Sequence, residues 1–384
     1  MVFAIILLYL ITVSADGWLY YRHIRTRSRT ARALFITILG AIDLLPLLVM
    51  ALFALLPDNT TALMRIAMWL FYVYLLLVVP RLAFYFFRHF GLHKTSIVVA
   101  LGLFALLIWG STYGRTTLMV NEVDIHSARL PRAFDGLRVV QFSDLHIGTL
   151  VQPAKELQQV VDQINALHPD LVVFSGDMVN TRYSELDTQA MRILSQIKAP
   201  LGVISNLGNH DVGTYVKDTL SLPLAENTAR LVERQRSMGW RLLDNQTEYL
   251  VRGSDTLSVS GISFDPAFRK ERHDRRIDMD LTEIYRGVSK SHYNLTICHI
   301  PQLWEPIMEQ GYGDLTLSGH VHAMQAMIRI GNFRFSPVRL LYERWSGLYE
   351  QGDRKMYIND GIGYVGAPIR LGAYPEITVF TLRQ

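Results

Sequence analysis

The sequence predicts an α/β domain preceded by an all-α transmembrane domain of about four helices. Hydrophobic residues make up 50% of the 384-residue chain, and the mean hydropathy is +0.17. That is too apolar for an ordinary soluble enzyme. The excess lies before residue 115, whereas short apolar runs alternate with amphipathic ones beyond residue 137. This alternation is typical of strands that alternate with helices.

Four apolar stretches are long enough to cross a hydrocarbon core, which takes about 20 helical residues. They cover roughly residues 1–21, 33–56, 64–87 and 95–113. The first could be a cleaved signal peptide, but its basic residues follow the apolar run and do not precede it, so we expect a retained helix. The predicted domains are a transmembrane domain over 1–115, a connecting segment over 116–136, and an α/β domain over 137–384.

The basic residues predict how the chain crosses the membrane. The loop after the first stretch holds Arg22, Arg25, Arg27, Arg29 and Arg32, and the loop after the third holds Arg88, His89, His93 and Lys94. The positive-inside rule makes both loops cytoplasmic, so four crossings leave the α/β domain on the extracytoplasmic side of the plasma or inner membrane. One helix more or fewer inverts this expectation. The net charge of +4 is therefore a topology signal, and the single cysteine, Cys298, excludes an intrachain disulfide.

One acidic residue, Asp43, lies inside the second predicted span. An ionisable group at this depth is by default a functional hypothesis. The structural alternative is an ion pair with Arg81, at a comparable depth on the third span.

Polar motifs follow the predicted strands of the α/β domain. We predict strands at Leu137–Phe142, Leu171–Phe174, Leu201–Ser205, Asn294–Ile297 and Asp314–Leu317, and a helix at Pro153–Leu167. Ligands bind at the carboxyl ends of such strands. The candidate metal ligands there are Asp144, His146, Asp177, Asn209, His299, His320 and His322. Carboxylate, amide and imidazole groups together favour Mn, Fe, Zn or Co over Mg or Ca, and the set is large enough for two divalent ions.

These motifs, in this order, resemble those of the calcineurin-like metallophosphoesterases from residue 137 to the C-terminus. The stretch from Gly363 to Glu376 is similar to the C-terminal signature of a membrane-associated phosphodiesterase branch of that family. The resemblance implies a four-layer β-sandwich flanked by helices. The multi-pass N-terminal segment is similar only to transmembrane relatives.

The resemblance also implies roles for the candidate residues. One ion would be held by Asp144, His146 and His322, the other by Asn209, His299 and His320, with Asp177 bridging them. His210 would donate a proton to the leaving oxygen, with Asp211 orienting its ring. Two cations about 3.5 to 4 Å apart lower the pKa of a bridging water toward neutrality, and the resulting hydroxide attacks phosphorus. Many relatives carry an acid where this chain has Asn180, so we expect altered hydrogen bonding there without loss of metal.

We therefore expect a membrane-anchored phosphoesterase that hydrolyses a phosphodiester or pyrophosphate, with a lipid-linked substrate and membrane lipids as partners. The segment from Phe333 to Tyr349 is either a lip for acyl chains or a hairpin packed on the core. The basic segment from Phe268 to Arg276 is either a solvated face or a lid for an anionic substrate. We expect no nucleic-acid partner, because no extended basic and aromatic surface is evident.

Three alternatives remain open. The first is a UDP-2,3-diacylglucosamine-type pyrophosphate hydrolase, which would need a cytoplasmic catalytic domain. The second is a nuclease of the same superfamily. The third is a non-catalytic metal-binding membrane sensor or accessory protein, which the presence of His210 disfavours because binding alone needs no proton donor.

Overall fold

The computed structural model describes residues 2–266, 279–331 and 333–384 and divides the chain into two compact units. The helical unit comprises Met1–Tyr113 with Gly366–Ile369, and the α/β unit comprises Gly114–Val365 with Arg370–Gln384. The basic segment over 268–276, for which a solvated face or a lid was expected, lies outside the described residues.

The helical unit contains the helices α1 (Val2–Leu19), α2 (Arg29–Asp43), α3 (Leu45–Leu55), α4 (Thr61–His89) and α5 (His93–Trp109). Among the residues described, α4 and the stretch His93–Gly114 are each long and apolar enough to span a membrane. A third span results if α2 and α3, which are bent by 43°, count as one. Pro46 in the first turn of α3 accounts for the bend, since proline cannot continue the hydrogen bonding of α2.

Three charged side chains meet inside the helical unit. The Arg81 guanidinium contacts the carboxylate of Asp43 at 2.5 Å and that of Asp16 at 3.3 Å, and both acids are about 6% exposed. The expected pairing of Asp43 with Arg81 is thus present, and Asp16 joins it. Charges at such depth are tolerated when they are paired.

The strands of the α/β unit form two six-stranded sheets. The first has the order β1 (Met119–His126), β14 (Glu376–Arg383), β2 (Arg138–Phe142), β3 (Leu171–Phe174), β4 (Val203–Ser205) and β5 (Arg241–Leu242). The second has the order β12 (Gly347–Gln351), β13 (Arg354–Ile358), β9 (Leu315–Ser318), β8 (Tyr293–Cys298), β7 (Asp255–Ile262) and β6 (Gln246–Arg252). The helices are α6 (Pro153–Ala166), α7 (Thr188–Leu194), α8 (Leu224–Ser237) and α9 (Trp304–Glu309).

Each predicted strand and helix of this unit is present, with ends that differ from the prediction by at most two residues. The two sheets share one apolar core, to which Val139 and Val173 contribute from the first sheet and Leu295 and Leu317 from the second. Val140 and Val172 on the opposite face of the first sheet are also fully buried. Strands covered on both faces read as continuous apolar runs, which is why the sequence revealed them.

The segment over 116–136, expected to connect the two domains, carries the strand β1. It pairs in parallel with β14 over eight residues, and β14 pairs antiparallel with β2. The chain therefore ends in a strand that lies between β1 and β2. Of the eight residues of β1 only Ile125 is buried, because β1 is an edge strand, and its sequence lacks the apolar run that marks the inner strands.

The segment from Phe333 to Tyr349 divides between two environments. Val338 and Tyr342 pack in a cluster with Trp304. The hairpin of β10 (Ile328–Ile330) and β11 (Phe333–Phe335) is exposed on nearly every residue. The expectation of a hairpin packed on the core is therefore wrong for β10 and β11. Packing on the core is found only for residues after β11, such as Val338 and Tyr342.

We expect Phe380→Ala to destabilise the α/β unit by about 3 to 5 kcal/mol, because the ring is fully buried between the sheets. Its thermal midpoint in the full-length protein in detergent should fall by roughly 6 °C or more. Phe333→Ala, at a ring that is 56% exposed, is the matched control and should leave the midpoint nearly unchanged. Equal shifts in the two variants would contradict the placement of β14 in the core.

Candidate metal centre

The candidate ligands lie in loops that leave the carboxyl ends of β2, β3, β4, β8 and β9. Five of these residues have a left-handed backbone, with φ between 43° and 76°: Asp144, His146, Asp177, His320 and His322. Non-glycine residues in this region cost of order 1 to 3 kcal/mol each and persist only where the surrounding structure holds them. The turns direct all five side chains toward the same edge of the two sheets.

The first cluster consists of Asp144, His146 and His322. The Nε2 atoms of the two imidazoles lie 3.1 Å apart, and Nε2 of His322 is also 3.1 Å from Oδ1 of Asp144. All three residues are buried, and their potential ligand atoms lie within 4.8 Å of one another. This is the same set that the sequence motifs suggested for one ion.

The second cluster consists of Asp177, His299 and His320, with Asn209 beside it. Nε2 of His299 is 3.1 Å from Oδ2 of Asp177, and Nδ1 of His320 is 2.8 Å from Oδ1 of Asn209. Oδ2 of Asp177 is also 3.7 Å from Nε2 of His146 in the first cluster. Asp177 thus lies between the clusters, where a bridging ligand would be expected.

The electrostatics of the centre fit a positively charged group. Burial raises the pKa of Asp144, but the neighbouring histidines hold it well below its usual value. Burial lowers the pKa of His299, but the carboxylates of Asp177 and Asp144 outweigh this and raise it to about 10. The Nδ1 atom of His299 donates to the carbonyl of Ser175, whereas the buried Nε2 faces the carboxylates of Asp177 and Asp144 at 3.1 and 3.8 Å. Imidazole nitrogen beside two carboxylates is a donor set that suits a divalent transition metal.

Two glycines leave room for the carboxylates. A Cβ on Gly208 would lie 2.2 Å from Oδ1 of Asp177, and one on Gly319 would lie 2.3 Å from Oδ2 of Asp144. Any side chain at either position would displace a candidate ligand. Gly208 and Gly319 are therefore required by close approach.

The ring of His210 is held by a different group from the one expected. Its Nδ1 donates to the backbone carbonyl of Asn180 at 2.5 Å, and the ring of Tyr215 stacks on it at 4.1 Å. Burial lowers the pKa of His210 to about 4. A ring nitrogen of His210 lies within 4.8 Å of ligand atoms of His146 and Asp177, and with Nδ1 committed to the carbonyl only Nε2 is available for chemistry.

Asp211 does not orient this ring, so that expectation is corrected. Its carboxylate accepts backbone N–H groups of Asp177, Met178, Val179 and Gly208 at 2.8 to 3.2 Å. Asp211 therefore shapes the loop that carries Asp177. Adjacency in sequence suggested a contact with His210, but the turn directs the two side chains to different partners.

A buried acid that the sequence did not reveal supports Asn180. The carboxylate of Glu185 accepts the backbone N–H groups of Gly148, Asn180 and Thr181. Burial raises the pKa of Glu185 to about 7, against the effect of these hydrogen bonds. Glu185 joins the loop after His146 to the loop after Asp177, and it fixes the peptide whose carbonyl holds His210.

Three further residues contact the centre and were missed in the sequence. The Tyr215 hydroxyl accepts from Nδ2 of Asn209 at 3.1 Å, and the Tyr342 hydroxyl lies 3.3 Å from Nε2 of His320. Nη2 of the fully buried Arg370 is 3.2 Å from Nδ1 of His322. Arg370 also donates to the carbonyls of Asp360, Gly363 and Ala373. The C-terminal signature was the only sequence signal for it.

Comparisons with known proteins agree with this geometry. A family model described as calcineurin-like phosphoesterase matches residues 137–324. The uncharacterised metallophosphoesterase YkuE of Bacillus subtilis is 30% identical over 266 residues, which are 68% of this chain and 85% of that protein. The chain therefore belongs to the calcineurin-like metallophosphoesterases.

Two relatives are more specific in name. A transmembrane protein with metallophosphoesterase domain from Danio rerio is 31% identical over 300 residues, 77% of this chain and 64% of the relative. The chain thus spans less than two thirds of that relative's length. The UDP-2,3-diacylglucosamine pyrophosphatase LpxG of Chlamydia trachomatis is 29% identical over 323 residues, 70% of this chain and 91% of LpxG. The similarity to the Danio rerio protein and the apolar helices of this chain together indicate a membrane protein.

We expect Glu185→Ala to destabilise the α/β unit by about 2 kcal/mol or more, because three buried N–H groups lose their acceptor. Thermal unfolding of the full-length protein measures the effect. Glu226→Ala is the control, since Glu226 forms an exposed pair with Arg230 one helical turn away and should contribute no more than about 0.5 kcal/mol. A Glu185 variant as stable as the control would show that the carboxylate does not hold the two loops.

Proposed function

We propose that this protein is a membrane-anchored phosphoesterase with two divalent ions, which hydrolyses a lipid-linked phosphodiester or pyrophosphate. One observation carries the proposal. Asp177 lies between two clusters of buried nitrogen and oxygen donors, so one carboxylate is within reach of both candidate ion positions.

The proposed ligands are Asp144, His146 and His322 for one ion and Asn209, His299 and His320 for the other, with Asp177 shared. When bound, the ions supply a water acidic enough to attack phosphorus and positive charge for the phosphoryl oxygens. The chain itself fixes the donors, because backbone N–H groups of His320 and His210 donate to the carboxylates of Asp144 and Asp177. Mixed oxygen and nitrogen donors favour Mn, Fe, Zn or Co.

His210 is the proposed proton donor to the leaving oxygen. The Nδ1–H of His210 is held by Asn180, so Nε2 is the atom that exchanges a proton with the leaving oxygen. Because burial lowers the pKa of His210, Nε2 carries the proton that it transfers only when the negative charge of a bound substrate favours the imidazolium. Tyr215 stacks on the ring and limits its rotation. The carbonyl of Asn180 orients the ring of His210, a role that the sequence analysis assigned to Asp211. Glu185 holds the peptide that carries this carbonyl.

The lipid-linked substrate is inferred from two observations. The chain carries helices apolar enough to span a membrane. The proposed catalytic domain is therefore anchored close to lipid. The name of the relative LpxG also specifies a lipid-linked pyrophosphate. A UDP-2,3-diacylglucosamine-type substrate is accordingly a second candidate, and it requires the α/β unit to face the cytoplasm.

Two substitutions separate metal binding from proton transfer. Asp177→Asn should lower bound metal per chain and abolish activity, because the residue would serve both ions. His210→Asn should keep the metal content near normal while turnover falls by roughly 10²- to 10⁴-fold. Elemental analysis of the purified full-length protein and a turnover assay with Mn²⁺ measure both. Loss of metal in the His210 variant would make His210 a ligand, and full activity would remove its assigned role.

The substrate class can be tested by comparing related esters. With Mn²⁺ we expect bis-p-nitrophenyl phosphate to be cleaved faster than p-nitrophenyl phosphate. A lipid-linked pyrophosphate or phosphodiester in mixed micelles should have a higher kcat/KM than its water-soluble headgroup analogue. A faster monoester reaction would contradict the diesterase assignment, and equal kcat/KM for the lipid and its analogue would contradict the lipid-linked substrate.

A C-terminal fusion to alkaline phosphatase, which is active only outside the cytoplasm, tests the orientation. The basic loops predict an active fusion. A silent fusion, with a cytoplasmic reporter active at the same position, would overturn the extracytoplasmic proposal. It would then favour the UDP-2,3-diacylglucosamine-type candidate.

A further inference from the structure

The hairpin of β10 and β11 has two chemically different faces. Ile328 pairs with Phe335 and Ile330 pairs with Phe333, so four apolar side chains share one face. Ile330 is 71% exposed and Phe333 is 56% exposed. Leu340 and Leu341, on the turn that follows β11, are also exposed. We refer to residues 328–331 and 333–341 as the hairpin surface.

The other face of the hairpin carries like charges in direct opposition. Arg329 pairs with Arg334 across the two strands. Like charges at such positions repel each other and destabilise a hairpin. Neither of these arginines forms an ion pair with a carboxylate among the residues that the structure describes. An anion placed between them would relieve the repulsion.

The charge of the wider segment has the same sign. Residues 324–348 contain four arginines and one acid, Glu343. Arg344 is paired with Glu305, whereas Arg339 lies over the ring of Phe335 at 5.8 Å. The surface thus offers exposed aliphatic and aromatic groups together with guanidinium groups, the combination that binds the interface of an anionic bilayer.

A two-stranded hairpin that packs on nothing is only marginally stable in water. Its exposed apolar face therefore indicates a partner that covers it. A lipid surface fits better than a protein, because one surface must supply both hydrocarbon and closely spaced anions. The same chain also has helices long and apolar enough to span a membrane, which is consistent with a lipid partner.

We propose that the hairpin surface docks on the headgroup region of an anionic bilayer, with Ile330, Phe333 and Leu340 inserted and Arg329 and Arg334 bound to lipid phosphates. The hairpin begins six residues after His322, and the Tyr342 hydroxyl that follows it contacts His320. Docking therefore brings lipid phosphates to the side of the α/β unit that holds the metal centre. This goes beyond the proposed reaction, since docking does not require hydrolysis.

The test uses full-length protein in nanodiscs, which expose both faces of the bilayer, so that orientation does not affect the result. Ile330→Cys is labelled with an environment-sensitive fluorophore, and the native Cys298 is buried and does not compete. Leu220→Cys, at another exposed apolar position of the same unit, is the matched control. The discs contain phosphatidylcholine with or without phosphatidylglycerol, and spin-labelled lipid is the quencher.

We expect quenching and a blue shift of the label at residue 330 in anionic discs, and neither effect at residue 220. Arg329→Gln and Arg334→Gln should each lower the ratio of docked to undocked protein about fivefold. An unquenched label at residue 330, or equal quenching at both positions, would overturn the proposal. A blue shift in detergent without lipid, together with cross-linked dimers, would also overturn the proposal. That result would show that the hairpin surface binds a second copy of the chain.

Activity on a water-soluble diester serves as the separate readout in the same samples. The two arginine variants should retain this activity, since they lie outside the metal centre. Wild-type protein that is active but undocked would overturn the docking proposal alone. Docked but inactive wild-type protein would contradict the proposed function and leave the docking result intact.

Discussion

The loops at one edge of the α/β unit depend on compensating the negative charge of two buried carboxylates, Asp144 and Asp177. Asp144 and Asp177 lie at the edge of the sheets with almost no exposure, and histidines surround them. Two negative charges at this depth cost several kcal/mol each unless they are compensated. Burial lowers the pKa of His299, but the carboxylates of Asp177 and Asp144 outweigh burial and raise this pKa. The left-handed turns, the two close glycines and the network around Asp211 all place these carboxylates.

A second set of contacts holds the groups around the carboxylates. Glu185 ties two loops together, Asn180 holds the ring of His210, and Arg370 joins the C-terminal loop to His322. These contacts run through backbone atoms as often as through side chains. Many relatives are expected to carry an acid where this chain has Asn180. The ring of His210 is oriented by the backbone carbonyl of Asn180, and that hydrogen bond does not require an acidic side chain.

The inner strands could be predicted from the sequence, because strands buried on both faces are continuous apolar runs. The convergence of the seven candidate ligands at one edge of the sheets could also be predicted, because their motifs directly follow these strands. The strand β1 could not, since an edge strand has weak alternation. Glu185 and Tyr215 act through contacts that depend on the folded loops, and no spacing rule identifies them. The orienter of His210 was predicted wrongly, because a neighbour in sequence need not be a neighbour in space.

The proposed function requires one carboxylate, Asp177, to serve two metal ions. Anomalous scattering from crystals or ordered lipid arrays of the full-length protein grown with Mn²⁺ would locate these ions. We expect two peaks about 3.5 to 4 Å apart, with Asp177 in contact with both. A single peak, or a second peak bound by His210 in place of Asn209, His299 and His320, would contradict it.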